Sequence, residues 1–224
     1  MDVYLATVGT VSLWAGAIIL RNRIERRQCR ALEQEARQLG FSFVSLAKPF
    51  EGSDISDLAF CLQNGSSTQV ENLVQGTIYD RHMLVFNLRT YSSLGEGSTV
   101  TTCAAFQSGP SQLPVFRICV KGILDRWRDA LAGTAVDFDI DPEFAKRFFL
   151  CCADETEKHR FFTRSKLLHI HQCADHFQIQ SSPDWLLMFR RGRIISARNL
   201  RQFVDVTSTI ASGLLDLEPR LGAP

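Results

Sequence analysis

The stretch Val3 to Leu20, VYLATVGTVSLWAGAIIL, carries no charged side chain over 18 residues, and this constrains the chain more than any other feature. As a helix it would reach roughly 27 Å, just enough for a bilayer core of about 30 Å. A secretory signal begins basic, whereas only Met1 and Asp2 precede this run. The positive charge lies downstream instead, at Arg21, Arg23, Arg26, Arg27 and Arg30, with Glu25 alone against it. The side richer in arginine stays in the cytoplasm. The expectation is an uncleaved anchor over residues 1–20, N-terminus outside the cell membrane, with residues 21–224 cytoplasmic.

Cysteine usage bears on that orientation independently. Seven cysteines form an odd set with no CxxC pair, spread through apolar contexts. That pattern fits a reducing compartment. Cys103 in TTCAAF and Cys119 in FRICV read as small apolar residues inside strands. A net charge of +1 supplies no global field to recruit nucleic acid, and none is expected as a partner.

Past the anchor, Ile24, Ala31, Leu32, Ala36 and Leu39 recur at helical spacing among Arg, Gln and Glu, and Gly40 is a natural stop. Residues 21–40 therefore read as a basic juxtamembrane helix, either a stalk or a helix lying on anionic headgroups, where each arginine contributes about 1 kcal/mol. Residues 41–215 read as one cytoplasmic α+β domain and 216–224 as a flexible tail. Turn chemistry flanks a short apolar piece at Leu58 to Leu62. Then Leu73–Tyr79, Met83–Thr90, Thr99–Gln107 and Leu113–Lys121 read as four strands of an antiparallel meander. Phe148–Cys152, His176–Gln180 and Trp185–Arg190 are further strand candidates. Asp154 three residues before Glu157 caps a helix running to about His171 with a break near Thr163, and an amphipathic helix spans about Ala197 to Leu215. About seven strands closed by one C-terminal helix is the order of a pleckstrin-homology-like domain, and equally of a mainly antiparallel sheet with helices packed on one face.

The run VDFDIDPEFAKRFFL, followed by CADETEKHRFF and later WLLMFRRG, resembles an uncharacterised family of bacterial proteins. These have one N-terminal membrane anchor and a cytoplasmic α+β domain, with an acidic DFDxxPEF-type motif ahead of a charged helix. Asp141 stands where that family often has His before the proline. The resemblance implies no known activity and no catalytic residues.

Candidate chemistry comes from three sets. Asp137, Asp139 and Asp141 would share one side of an extended segment, as carboxylates holding Mg²⁺ or Ca²⁺ must; the competing role for Asp141 is an N-cap with Pro142 at the first helical position. His169, His171, Cys173 and His176 form a soft ligand set, but residues two apart on a helix diverge by about 200°. Vicinal Cys151 and Cys152 on a strand point to opposite faces, one expected buried and one exposed. No phosphate loop or nucleophile elbow is present, and no cofactor is expected. Arg190, Arg191, Arg193, Arg198 and Arg201 cluster within a stretch free of acid, suited to phospholipid headgroups or an acidic protein partner. With 20 arginines to 5 lysines in the chain, a solvated face is the plainer account of such a cluster. The expected function is thus a single-pass, membrane-anchored binding or scaffolding module. A membrane-tethered metal-dependent hydrolase using the three aspartates and an anionic-lipid-binding domain are the alternatives.

Overall fold

The computed structural model describes residues 23, 26–45, 68–91, 97–110, 112–121, 141–152 and 154–217. Helix α1 spans residues 26–38. It ends as the glycine predicts: Gly40 takes φ 75°, its N–H reaches Arg37 O at 3.0 Å and the Phe41 N–H reaches back to Ala36 O at 2.9 Å. This pair of bonds satisfies two orphan carbonyls of the last turn. The helix is no free stalk in its second half, because Ala36 is buried and Leu32 and Leu39 pack against the core.

Eight strands follow: β1 (Ser42–Val44), β2 (Thr68–Ile78), β3 (Arg81–Tyr91), β4 (Ser98–Gln107), β5 (Phe116–Val120), β6 (Phe148–Cys152), β7 (Gln178–Ser181) and β8 (Trp185–Phe189). All pairings are antiparallel, in one sheet of order β1-β2-β3-β4-β8-β7-β5-β6. The architecture is α+β with helices packed on the sheet. Two expectations are corrected. The count is eight, because the three-residue β1 is too short to show a periodicity. The four-strand meander stops at β4, and the last hairpin, β8 with β7, inserts between β4 and β5. A strand order read along the chain cannot anticipate that insertion, since β5 and β8 are both short, mainly apolar strands.

β2 also begins five residues before the expected Leu73. The reason is a bulge: the register with β3 shifts between Glu71 and Val74, with Asn72 at φ 54°. An extra residue flips the alternation, so Val70 and Leu73 lie in one apolar cluster and Val74 in the other. Beyond it, Tyr79 and Asp80 both have positive φ and form the two-residue turn to β3, the pattern that matches strand twist in tight hairpins.

The helices α2 (Pro142–Arg147), α3 (Glu155–Phe161), α4 (Arg164–Cys173) and α5 (Leu200–Leu214), the last entered through a 3-10 turn at Ala197–Asn199, complete the fold. α3 and α4 divide where Thr163 was expected to break the helix. The Thr163 hydroxyl caps α4 by accepting from Lys166 N, and the intervening Phe162 is fully buried against Phe116, ring centroids 4.8 Å apart. α5 buries Leu200, Phe203, Val204, Thr207, Ile210, Ala211 and Leu214, the stripe its spacing predicts. The helix-covered face of the sheet contributes Val74, Val85, Ala104, Ile118, Ile179 and Met188 to one core, and the opposite face carries a second apolar cluster of Leu84, Phe86, Cys103, Leu187 and Phe189. Among the described residues no helix is long and apolar enough to cross a membrane. The apolar span at residues 3–20, the piece at 58–62 and residues 218–224 of the expected tail lie outside the described residues.

Candidate functional site

Asp137 and Asp139 lie outside the described residues, as does Arg21. Asp141 is the N-cap of α2: its carboxylate accepts from Glu143 N at 3.0 Å and Phe144 N at 3.3 Å, with Pro142 in the first turn. A carboxylate so engaged satisfies two of the helix's orphan donors. The histidine set behaves as its spacing requires. His169, His171 and Cys173 all lie on α4, and no group of three metal-ligating side chains occurs among the described residues. His169 is instead a packing residue, its Nε2 2.8 Å from Thr209 O and its ring against Gly213, where a Cβ would collide with that ring.

Among the described residues, Cys29, Cys103, Cys119, Cys151, Cys152 and Cys173 form no disulfide. Burial pushes the Cys103 thiol far above its ordinary value, and pushes Cys119 up to about 11 against the opposing pull of nearby Arg117. Both are thus protonated and non-nucleophilic near neutrality. Cys151 and Cys152 are each half-buried rather than one in and one out. β6 is the sheet's outermost strand, so neither face is fully covered.

What the tertiary structure brings together is the arginines. β8 ends at Phe189, and residues 190–196 continue beside the first half of β4. Thr102 N donates to Arg193 O at 2.9 Å, Gly192 N to Thr101 Oγ1 at 3.0 Å and Ile195 N to Thr102 Oγ1 at 2.9 Å. Two threonines, one on each face of β4, thereby hold the loop in place. It presents Arg191, Arg193 and Ile194 outward, and Ile194 is 61% exposed.

Arg190 faces the other way. Its guanidinium sits 4.3 Å from the Phe177 ring and donates to Asp175 O at 3.2 Å, while its Nε is buried without a hydrogen-bond partner. Burial, then the charge of Arg193, lowers its pKa from the ordinary arginine value. Arg147, at the end of α2, donates to the Asp175 carboxylate and to His171 O at 3.4 Å. Arg147 and Arg190 therefore tie down the 174–177 turn between α4 and β7. They are fold-making arginines, and the solvent-directed ones are Arg191 and Arg193. The sequence set treated Arg190, Arg191 and Arg193 as equivalent, and only burial separates them.

The start of α5 adds to the same charge. It has no side-chain cap and no acid in its first turn, yet Arg198 and Arg201 stand there exposed. A helix N-terminus is already positive, so cations there are unfavourable.

α1 completes the arrangement. The Cys29 thiol donates to Asn72 Oδ1 at 3.4 Å, and the ring of Phe41 lies on Gly76. α1 therefore runs alongside β2 from Asn72 toward Gly76. The N-terminal part of its described length, with exposed Arg26, Arg27 and Arg30, points toward the Thr68 end of β2, and Arg23, also helical, is exposed. That end pairs with Thr90 of β3, and Tyr91 pairs with Ser98 of β4, the strand that carries the 190–196 loop. The two basic segments, more than 150 residues apart in the chain, thus share one end of the sheet. Among the described residues no carboxylate lies within ion-pair distance of Arg26, Arg27, Arg30, Arg193, Arg198 or Arg201. Sequence reasoning missed Ile194 altogether; its signal was an aliphatic pair inside an arginine run.

No protein-family model and no curated protein matches the chain. Its fold is similar to the crystal structure of the mycobacterial trehalose monomycolate transport factor A, TtfA, with a TM-score of 0.52 and 17% identity over 83% of this chain and 97% of that one.

Proposed function

We propose that the protein is a single-pass membrane protein whose cytoplasmic α+β domain is a binding or scaffolding module held at the inner face of the bilayer. One observation carries this reading: the charge-free run at 3–20 leads into arginine-rich α1, whose exposed N-terminal part joins the other arginine segment at one end of the sheet. A cationic end beneath an anchor suits an anionic leaflet. The similar mycobacterial protein is a transport factor, which supports an accessory role. The hydrolase alternative has less in its favour, since the Asp141 carboxylate is engaged by the backbone of α2.

The test is fractionation and topology of the full chain. The protein is expected to stay in the membrane pellet after alkaline carbonate washing, and its C-terminal domain to resist protease added to intact spheroplasts while being digested after lysis. Release by carbonate would refute the anchor; digestion in intact spheroplasts would refute the orientation.

A further inference from the structure

We infer that the end of the sheet carrying residues 190–196 is a surface that docks flat on an anionic bilayer, with Ile194 entering the headgroup layer between Arg191 and Arg193. The inference rests on the anchored reading and adds to it a second, structurally defined membrane contact and an orientation for the domain.

Three observations converge on a lipid surface. The first is position. The 190–196 segment continues the line of β8 beside β4, three inter-strand spacings or about 14 Å from β2, so the start of α1 beside β2 and this loop stand at the same end of the sheet. An anchor entering through α1 brings this end of the domain to the membrane. The opposite end, with the Tyr79-Asp80 turn, is held away by the length of the strands.

The second is the chemistry of the tip. Ile194 is 61% exposed, more than any other large hydrophobic residue among those described. It is flanked by exposed Arg191 and Arg193, and the loop beneath is braced by Thr101 and Thr102. An aliphatic side chain between cations, on a braced projecting loop, matches an interface where apolar groups enter while guanidinium groups remain among phosphates. An acidic protein partner would need the charge but not the projecting isoleucine. Tyr91 and Val44, each 40% exposed, close β3 and β1 at the same end, and tyrosine is a residue of membrane interfaces.

The third is unbalanced charge. Arg193, Arg198 and Arg201 have no carboxylate partner among the described residues, and the last two oppose the dipole of α5. Folding alone does not favour such an arrangement; a sheet of lipid phosphates compensates it.

The experiment uses the full chain reconstituted in phosphatidylcholine vesicles and in vesicles containing phosphatidylglycerol, reading hydrogen exchange at the backbone amides of residues 190–196. Exchange is expected to slow in the anionic vesicles only. Arg191→Gln and Arg193→Gln should each cut that protection on the order of fivefold, and Ile194→Glu should abolish it; unchanged melting temperatures would show that all three variants fold. Equal exchange in both vesicle types, with the protein still resistant to carbonate, would overturn the docking surface and leave the anchor standing. Carbonate release with anionic protection intact would do the reverse. Protection in native membranes but not in pure lipid would assign the loop to a protein partner and also overturn the inference.

Discussion

The two ends of the sheet use their polar groups in opposite ways. At the end where β7 turns into β8, hydrogen bonds close the surface. Ser108 N and Leu113 N donate to Asp184 O and Pro183 O, and the buried Ser181 hydroxyl donates to Pro114 O while accepting from Phe116 N at 2.9 Å. Where β6 leads into α3, the cation is matched as well, with the buried Lys158 ammonium 2.6 Å from Glu155 Oε2. At the arginine end the loop is equally well braced by backbone and threonine bonds, yet among the described residues no carboxylate lies within ion-pair distance of its outward Arg193. The arginine end is thus braced by hydrogen bonds without being electrostatically settled.

Substitutions at each end sharpen that contrast. The largest effect is expected from Phe116→Ala, which empties the site where Phe161 and Phe162 meet the closed end of the sheet. Denaturant unfolding should register a loss of about 3–5 kcal/mol, and a loss under about 1 kcal/mol would show that this end is not the stable one. Next comes Ser181→Ala, which leaves the Phe116 N–H and the Pro114 carbonyl unpaired. The expected cost is about 1–3 kcal/mol, read as a shifted urea midpoint with unchanged slope.

The smallest change tests the opposite end and carries the opposite sign. Arg201→Glu places an acid in the first turn of α5, where none exists, and should raise stability by about 0.3–1 kcal/mol. The same substitution is expected to weaken protection of residues 190–196 on anionic vesicles. A variant that is more stable yet keeps full protection would detach Arg201 from the membrane surface. One that loses stability would refute the account of that end as electrostatically unsettled.

Much of this could be read along the chain. α5 buries the stripe its spacing marked, Asp154 caps α3 as expected, the helix breaks at Thr163 as expected, and Asp141 with Pro142 opens α2. Such signals are local, since a cap bonds two or three residues away and an amphipathic stripe repeats every 3.6 residues. The bulge at Asn72 hid the start of β2 because one inserted residue reverses the alternation on which strand reading depends. The insertion of β8 beside β4 was invisible for a different reason: backbone ladders form between any two antiparallel apolar strands, so composition does not choose the partner.

Seven of the eight strands, the Asp141 and Asp154 caps, the apolar setting of Cys103 and Cys119 and two separate arginine segments are legible along the chain. That those segments share one end of the sheet, that Arg190 and Arg147 belong to the fold while Arg191 and Arg193 face outward, and that Ile194 stands between them emerges only once the chain is folded. The physical reason is the reach of the interactions. Caps and stripes act within a few residues, whereas the shared end of the sheet is set by strand pairings between residues up to about a hundred positions apart in the chain.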